Sequence, residues 1–205
     1  MQPKPADEIL RYLPAHMRIG EPEPRKYKPE RYELGYVTDG IPGLASCVNT
    51  AHKAIQWWLN DILHGASDRL RWVTLYGKSG CGKTYLINTA IATLKARGKR
   101  AQKWGWSALK GRLLDGNSPG LWEQVANMPH LAIDDIGADY MGSEKAAGVS
   151  ASLLYELLEA RLGKWTLITS NLTPAELPDM RIASRLKRGL NEVVDMTTAK
   201  DFSTL

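Results

Sequence analysis

The chain has 205 residues, of which 43% are hydrophobic and 24% are charged, and its net charge is +5 at pH 7, a composition typical of a folded domain with a core. Its apolar stretches are shorter than the ~20 residues that a membrane-spanning helix needs, and residues 1–9 lack the apolar core of a secretory signal. Two cysteines, Cys47 and Cys81, have no metal-ligand spacing and argue against a disulfide framework or a zinc site. We therefore expect a cytoplasmic protein without a membrane partner.

The positive charge is concentrated in one part of the sequence. Between Arg69 and Leu114 there are eleven Lys or Arg residues and no Asp or Glu, whereas the rest of the chain has 16 basic and 22 acidic residues. Such a basic block favours a polyanion partner, for example a nucleic acid. The alternative is that Lys78 and Lys83 bind nucleotide phosphates and the other basic residues belong to a solvated helix end.

The first 43 residues predict an extended arm outside the core. Seven of the eleven prolines lie there, and residues 21–33 mix charges of both signs with proline and tyrosine. We therefore divide the chain into a partner-binding arm, residues 1–43, and a second domain, residues 44–205.

Helix-like and strand-like segments alternate from residue 47 onward. Apolar residues at helical spacing predict four helices, over residues 47–64, 84–95, 108–114 and 143–162. Runs with strand-like composition predict five strands, over residues 71–76, 101–106, 130–135, 166–170 and 192–196. This alternation indicates an α/β fold with a five-stranded parallel sheet between helices.

Three details of these elements can be checked in the structure. Ser107 is the expected N-cap of the helix over residues 108–114. Trp104 and Trp106 are expected on the same face of the second strand, because strand side chains alternate. The long helix over residues 143–162 is expected to face the core with its apolar residues Val149, Leu153, Leu154, Leu157, Leu158 and Leu162.

The strongest motif lies between the first of these strands and the next helix. It is the run Gly77-Lys78-Ser79-Gly80-Cys81-Gly82-Lys83-Thr84, which matches the phosphate-binding pattern GxxxxGK[ST]. Glycines there let backbone amides point at phosphates, and the helix N-terminus adds positive potential. We expect Lys83 to reach the β- and γ-phosphates of ATP and the Thr84 hydroxyl to ligate Mg²⁺. A glycine turn that only begins a helix is the structural alternative, and the strand–helix context argues against it.

Two other strands end in polar residues. The apolar strand over residues 130–135 ends in Asp134 and Asp135. We expect Asp134 to hold Mg²⁺ and Asp135 to orient or deprotonate an attacking water. Asn171 follows the strand over residues 166–170, where it would lie beside Asp135 and help to position that water. Alternatively, Asn171 caps its strand and begins the following turn.

A basic run follows this strand. Four residues between positions 181 and 189 are basic, namely Arg181, Arg185, Lys187 and Arg188. They could form a solvated helix face. They could also place an arginine at a subunit boundary, where it would stabilise transition-state charge on a neighbour's γ-phosphate.

These motifs, in this order, resemble the DnaC/IstB family of AAA+ ATPases, which includes replicative-helicase loaders and the ATPase subunits of some insertion-sequence transposons. The resemblance covers roughly residues 44–196 and rests on the P-loop and on the runs IDDIG (133–137), TSNL (169–172) and RIASRL (181–186). It implies a AAA+ P-loop fold with a five-stranded parallel sheet, ATP and Mg²⁺ as cofactors, and a homo-oligomer with ATP between subunits. It also implies that Asn171 is the sensor-1 residue, Arg185 the arginine finger and Arg181 an auxiliary phosphate or interface arginine.

The sequence departs from the family pattern near its end. Family members often have an Asp-aromatic-Arg run after the last strand, but Asp201-Phe202-Ser203 lacks the arginine. Nine residues follow Met196, so we expect no substantial C-terminal lid. The arm over residues 1–43 also lacks the cysteine-rich module of some loaders.

The basic block also contains aromatic residues. Basic residues interleaved with aromatic ones suit single-stranded DNA, whose bases stack and whose phosphates pair with cations. In the resembled family, single-stranded DNA lies along the equivalent region. Trp104 and Trp106 would either both lie in the core, which we favour, or both be exposed and stack on bases. We expect DNA contacts from five residues, Lys99, Arg100, Lys103, Lys110 and Arg112.

Our leading hypothesis is therefore an ATP-dependent helicase loader that binds ATP, Mg²⁺ and single-stranded DNA and recruits a replicative helicase through residues 1–43. A transposition ATPase that binds duplex DNA and a transposase is the first alternative. A small-molecule P-loop kinase would need an arginine-rich lid, which residues 181–188 could imitate, but the Asp-Asp pair and the TSN run fit it poorly. A DNA-binding adaptor that does not hydrolyse ATP is the fourth hypothesis.

Overall fold

The computed structural model describes residues 46–65, 72–137, 144–189 and 191–202. The predicted arm, residues 1–43, lies outside these ranges. The elements in chain order are α1 (Ser46–His64), β1 (Trp72–Tyr76), α2 (Lys83–Ala96), β2 (Ala101–Gly105), α3 (Trp106–Leu114), α4 (Leu121–Ala126), β3 (His130–Ile136), α5 (Glu144–Ala160), β4 (Trp165–Ser170), α6 (Met180–Leu186) and β5 (Glu192–Asp195). Within the described ranges, no helix is both long and apolar enough to cross a membrane.

The five strands form one sheet in the order β2-β3-β4-β1-β5, and every pairing is parallel. The predicted α/β fold with a five-stranded parallel sheet is therefore confirmed. Because the strands are parallel, their carboxyl ends meet at one edge of the sheet. At that edge β1 has β4 and then β3 on one side, and β5 on the other. This order determines which motifs can meet.

The sheet separates two apolar clusters. One lies between the sheet and the helices α1 and α2, and the other between the sheet and the helices α3 to α6. Val73 and Leu75 belong to the first cluster and Trp72 to the second, because successive strand side chains point to opposite faces. Trp58 in the first cluster and Trp106 in the second are fully buried. Aromatic side chains bury about 150–250 Å² each, so the two tryptophans contribute much of the apolar area of their clusters.

The predicted boundary between β2 and α3 is wrong. β2 ends at Gly105 and Trp106 begins α3, so the N-cap is Gly105 and not Ser107. The two tryptophans therefore do not share a strand face. Trp106 is fully buried, and its indole Nε1 donates to Ser150 Oγ at 3.0 Å, whereas Trp104 is half-buried. This internal hydrogen bond favours the helical position of Trp106, because a buried indole N–H needs an acceptor.

The prediction for the long helix is partly wrong. Leu154, Leu157 and Leu158 are fully buried as expected, but Val149 and Leu162 are 47% and 40% exposed. Helix α5 ends at Ala160, so Leu162 lies in the turn that follows. The short helix α4 was not predicted, because its six residues give too little periodicity.

Arg161, directly after α5, is a fully buried cation that joins three parts of the chain. Burial lowers the pKa of Arg161 to about 10, so the side chain stays charged at neutral pH. Its guanidinium donates to Thr166 Oγ1 at 3.0 Å and to four backbone carbonyls at 2.7–3.3 Å, those of Val125, Ala126, Met128 and Trp165. The guanidinium thus connects β4 with two other parts of the chain, the end of α4 and the residues that precede β3.

Candidate nucleotide-binding site

The predicted P-loop is a turn between β1 and α2 at the carboxyl edge of the sheet. Gly77 N donates to Ser170 O at 3.1 Å, which fixes the start of the loop to the end of β4. Gly80 and Gly82 have φ values of 78° and 92°, a region that glycine adopts without strain. Gly82 is the N-cap of α2, no side chain caps this helix end, and its first turn has no acidic residue. The loop therefore has the backbone arrangement of an anion-binding helix N-terminus.

The Lys83 ammonium lies inside this loop. Lys83 is only 6% exposed, and its Nζ donates to Gly77 O at 2.7 Å, to Lys78 O at 2.8 Å and to Asn171 Oδ1 at 3.0 Å. These three acceptors carry no net charge. A phosphate that enters the loop therefore offers the ammonium a stronger, charge-assisted hydrogen bond.

The Asp134 carboxylate joins three elements at this edge. Its Oδ1 accepts from Thr84 Oγ1 at 3.0 Å and from Thr169 Oγ1 at 2.5 Å, and its Oδ2 accepts from Lys103 Nζ at 3.0 Å. The predicted neighbours Thr84 and Asp134 are thus brought together. Sequence reasoning missed the roles of Thr169 and Lys103 at this carboxylate, although Thr169 belongs to the TSNL run.

Asp135 occupies an unusual backbone position. It has a φ of 61°, and no other non-glycine residue in the described ranges has a positive φ. The position lies in an irregularity of the β3–β4 ladder between Ile133 and Ile136, which turns the Asp135 side chain outward while Asp134 stays buried. Asp135 N donates to Thr169 Oγ1 at 2.8 Å. Such a strained conformation at a strand end is typical of functional sites.

Asn171 links the two halves of the site. Its Nδ2 donates to Asp135 Oδ1 at 2.5 Å, and its Oδ1 accepts from Lys83. The predicted proximity of Asn171 and Asp135 is therefore present in the structure. Through Asn171, the P-loop lysine and the exposed carboxylate are connected by two hydrogen bonds.

The oxygens of Thr84 and Asp134 fit a magnesium ion, because Mg²⁺ prefers hydroxyl and carboxylate oxygens. The described ranges contain no group of three or more His, Cys, Asp or Glu side chains that could hold a metal. A Mg²⁺ ion here would therefore depend on waters and on nucleotide phosphates as further ligands, as is usual for this ion.

Arg181 and Arg185 lie on α6 and pair with carboxylates of their own chain. Arg181 Nη2 lies 2.7 Å from Asp179 Oδ2, and Arg185 Nε pairs with Glu159 Oε1. The two guanidinium groups lie 4.4 Å and 5.6 Å from the centre of the Tyr155 ring. The hydrogen bond from Arg185 lowers the pKa of Glu159 and raises the pKa of Arg185. Among the described residues, neither arginine forms a hydrogen bond or an ion pair with the P-loop, so their roles toward phosphate stay predictions.

The basic residues predicted to contact DNA fall into separate places. Lys99 and Arg100 are exposed and directly precede β2, at the amino edge of the sheet. Lys103, the middle residue of β2, pairs with Asp134 at the candidate nucleotide site at the carboxyl edge. DNA binding by these three residues therefore stays a prediction that would involve two edges of the sheet.

The other two predicted DNA contacts, Lys110 and Arg112, lie on α3. The Arg112 guanidinium lies 5.2 Å from the centre of the Trp104 ring, and its Nη2 donates to Ser118 Oγ at 3.3 Å. Arg112 thus covers Trp104, which the prediction placed in the core.

No family model and no curated protein matches the chain, but many solved structures do. The DnaC helicase loader is similar with a TM-score of 0.60 and 21% identity, over 81% of this chain and 98% of that chain. DnaI is similar with a TM-score of 0.61 and 18% identity, over 86% of this chain and 94% of that chain.

A third similar structure is the replication initiator DnaA bound to AMPPCP and single-stranded DNA, with a TM-score of 0.56 and 18% identity over 83% of this chain. This chain covers 50% of that DnaA chain, so it spans about half the length of the DnaA structure that it matches. The parallel sheet, the loop between β1 and α2 and these similarities together show that the chain has the P-loop α/β fold of the DnaC and DnaI structures.

Proposed function

We propose that the chain is a AAA+ ATPase that binds ATP with Mg²⁺ on residues 77–84 and acts as a loader of a replicative helicase. One observation carries the ATPase part of this proposal. Five predicted site residues converge at one edge of the sheet, namely Lys83, Thr84, Asp134, Asp135 and Asn171. Asn171 is hydrogen-bonded to Lys83 and Asp135, Thr84 is hydrogen-bonded to Asp134, and the Thr169 hydroxyl connects the two groups. The edge thus combines a cation for phosphate, a pair of metal-binding oxygens and an exposed carboxylate for water.

ATP binding would rearrange the hydrogen bonds of Lys83. Its ammonium would leave the neutral carbonyls of Gly77 and Lys78 for the β- and γ-phosphate oxygens, because charge-assisted hydrogen bonds are roughly twice as strong as neutral ones. The move would also release Asn171 Oδ1 from Lys83. Asn171 would then be able to turn toward the water that attacks the γ-phosphate.

Asp134 and Asp135 would have different roles in hydrolysis. Thr84 Oγ1 and Asp134 Oδ1, 3.0 Å apart, would hold Mg²⁺, which neutralises charge between the β- and γ-phosphates when it is bound. Asp135 has an exposed carboxylate and would accept a proton from the attacking water. Its hydrogen bond from Asn171 would keep the carboxylate oriented.

Arg185 would act on the nucleotide of a neighbouring subunit in a homo-oligomer, with Arg181 as an auxiliary interface arginine. In the single chain both side chains are held by Glu159 and Asp179. The pair between Arg185 and Glu159 must therefore open when the subunits assemble. Because Arg185 is paired with Glu159 in the single chain, hydrolysis would be slow outside the oligomer.

The helicase-loader part of the proposal is supported by the comparisons and by the basic block. This chain covers 98% of a DnaC structure described as a helicase loader. The DnaA structure with the same fold is described as bound to AMPPCP and single-stranded DNA. We assign single-stranded DNA contacts to Lys99, Arg100, Lys103, Lys110 and Arg112, and docking of the helicase to residues 1–43.

The DNA part is tested by fluorescence anisotropy with labelled single-stranded and duplex oligonucleotides of equal length, with and without a non-hydrolysable ATP analogue. A nucleotide-dependent preference for the single strand is expected. A preference for the duplex would favour a transposition ATPase, and binding to neither would remove DNA from the proposal. A Lys99→Ala/Arg100→Ala variant and a Lys110→Ala/Arg112→Ala variant would show whether the residues before β2 or those on α3 contact the strand.

The helicase part is tested by truncation. A chain that lacks residues 1–43 is expected to bind ATP as the whole chain does but to lose co-elution with the replicative helicase of its host. Retained co-elution would show that the docking site lies elsewhere.

A further inference from the structure

The segment that follows β5, Met196–Phe202, lies against the P-loop. We call it the post-β5 segment. At its start Met196 N donates to Tyr76 O at 2.7 Å, and at its end Phe202 N donates to Gly80 O at 2.9 Å. Both ends of the segment are therefore hydrogen-bonded to β1 or to the loop that follows it.

The glycines of the loop make this close approach possible. A Cβ atom at Gly77 would lie 2.8 Å from the carbonyl carbon of Met196, and a Cβ atom at Gly80 would collide with the Asp201 carboxylate. A Cβ atom at Gly82 would lie 3.8 Å from Phe202 Cδ2. A carboxylate and an aromatic ring thus lie directly beside a loop that is built to bind phosphates.

The sheet order shows which end of a nucleotide this segment would meet. Asp134, Asp135 and Asn171, which serve the γ-phosphate in the proposed function, come from β3 and β4 on one side of β1. The post-β5 segment comes from β5 on the other side of β1. A triphosphate that runs along the loop with its γ-phosphate toward β3 and β4 therefore has its nucleoside end toward β5.

The chemistry of Asp201 agrees with this direction. An ionised carboxylate only accepts hydrogen bonds, and it repels phosphate oxygens. The donors of ATP are the ribose hydroxyls and the base amino group, which all belong to the nucleoside. Phe202 packs against the apolar cluster of α1 and α2, so it can anchor the segment while Asp201 faces the loop.

We propose that the post-β5 segment is the nucleoside side of the nucleotide site, and that Asp201 accepts a hydrogen bond from a ribose hydroxyl or the base amino group. This proposal rests on the proposed binding of ATP to residues 77–84. It gives the segment a role in recognising the nucleoside, in addition to supporting the loop.

The test is isothermal titration calorimetry of the whole chain with two ligands, Mg-ATP and Mg-tripolyphosphate, which has the phosphates without the nucleoside. For Asp201→Ala, we expect the Kd of ATP to rise about tenfold or more, since a hydrogen bond to a charged group is lost. Asp201→Asn keeps an acceptor oxygen without the charge, so the Kd of ATP is expected to rise less in this variant than in Asp201→Ala. The Kd of tripolyphosphate is expected to stay the same or to fall, because the phosphate contacts are kept and a carboxylate that repels phosphate is removed. Asp115→Asn, at an exposed carboxylate after α3, is the matched control and is expected to change neither Kd.

Two further ligands distinguish the two donors. If a ribose hydroxyl is the partner, 2′,3′-dideoxy-ATP binds the wild-type chain more weakly than ATP, and Asp201→Ala loses this difference. If the base amino group is the partner, inosine triphosphate, which lacks that group, shows the same behaviour instead.

Equal weakening of ATP and tripolyphosphate by the Asp201 variants would overturn the proposal, because the segment would then only shape the loop. An unchanged Kd for ATP in Asp201→Ala would overturn it as well. A wild-type chain that binds neither ligand would instead overturn the proposed ATPase function, and with it this inference.

Discussion

Lys103 Nζ lies 3.0 Å from Asp134 Oδ2, so an ammonium of β2 pairs with the carboxylate that we propose as a magnesium ligand. The other oxygen of this carboxylate accepts from Thr84 and Thr169. Asp134 is buried, and its two oxygens already have three partners. A divalent cation that binds Asp134 must therefore compete with the Lys103 ammonium and is repelled by its charge.

Replacement of Lys103 by methionine is accordingly expected to strengthen magnesium binding. The variant keeps the aliphatic length of the side chain but removes the charge beside Asp134. We expect the Mg²⁺ concentration for half-maximal ATP binding to fall by about threefold to tenfold, since a like charge at this distance is removed from a partly buried site. The measurement is ATP binding during a Mg²⁺ titration. Lys99→Met, at an exposed lysine before β2, is the control and is expected to leave the titration unchanged. An unchanged or higher Mg²⁺ requirement in Lys103→Met would contradict the competition.

The proposed arginine finger predicts complementation between two inactive variants. Arg185→Ala is expected to bind ATP but to lose hydrolysis, because the neighbouring γ-phosphate loses its arginine. Asp135→Ala is also expected to bind ATP without hydrolysing it, because the attacking water loses its proton acceptor. A mixed oligomer can combine an intact Asp135 in one subunit with an intact Arg185 in the next. Mixing the two proteins is therefore expected to restore part of the ATPase rate, measured by phosphate release. If titration of one variant into the other gives no recovery, the site is not shared between subunits. Arg188→Ala, at an exposed arginine after α6, is the control that should keep the wild-type rate.

Buried Arg161 predicts a large effect on stability. Methionine in its place would leave the carbonyls of Val125, Ala126, Met128 and Trp165 without the guanidinium. We expect the free energy of unfolding to fall by about 3–5 kcal/mol, because several buried acceptors lose a charged donor at once. Urea denaturation at neutral pH measures this change. Arg188→Met changes an exposed arginine and is expected to cost less than about 0.5 kcal/mol. A loss below about 1 kcal/mol in Arg161→Met would show that water or a rearrangement replaces the guanidinium.

Buried His52 predicts a loss of stability in mild acid. His52 is 4% exposed, and burial lowers its pKa from 6.5 to about 4. As the pH falls from 6.5 to about 4, the unfolded chain takes up a proton that the native chain refuses, so the free energy of unfolding decreases. At about 1.4 kcal/mol per pKa unit, the whole decrease is about 3 kcal/mol. Burial also lowers the pKa of His130, which acts in the same direction.

The measurement is urea denaturation of the wild-type chain and of His52→Gln at about pH 7.5 and about pH 4.5. His52→Gln is expected to lose less stability between these two values than the wild-type chain, because the titrating group is gone. His64→Gln changes an exposed histidine at the end of α1 and serves as the control. Equal pH dependence in the wild-type chain and His52→Gln would mean that His52 takes up its proton in the native state.

The fold and the centre of the site could be predicted because their signals are local in the sequence. The run from Gly77 to Thr84 is contiguous. The strands that carry Asp134 and precede Asn171 are short apolar segments that end at polar residues. Once such strands are parallel, their carboxyl ends must meet, which brings Asp134 and Asn171 to the P-loop. In the structure they meet because β4 and β3 both lie on one side of β1.

The other contacts depend on strand order and on single side chains, which the sequence does not show. Lys103 reaches Asp134 because β2 pairs with β3, so a lysine that looks like part of a DNA-binding block lies at the nucleotide site. The sequence places Trp106 in the second strand, but in the structure it begins α3 and its indole donates to Ser150. In the sequence, Asp201 is recognisable only as part of an incomplete family motif. Its place beside Gly80 depends on the pairing of β5 with β1, which the sequence does not show.

The central claim is that the run from Gly77 to Thr84 binds ATP through Lys83, and calorimetry of Mg-ATP with wild-type chain and Lys83→Ala tests it most directly. The wild-type chain is expected to bind Mg-ATP. The Kd of Lys83→Ala is expected to be at least about thirtyfold higher, because the phosphates lose a buried cationic partner. Lys95→Ala, at an exposed lysine in the last turn of α2, is expected to bind like the wild-type chain. Equal affinities of the wild-type chain and a folded Lys83→Ala variant, or no binding by the wild-type chain, would contradict the claim.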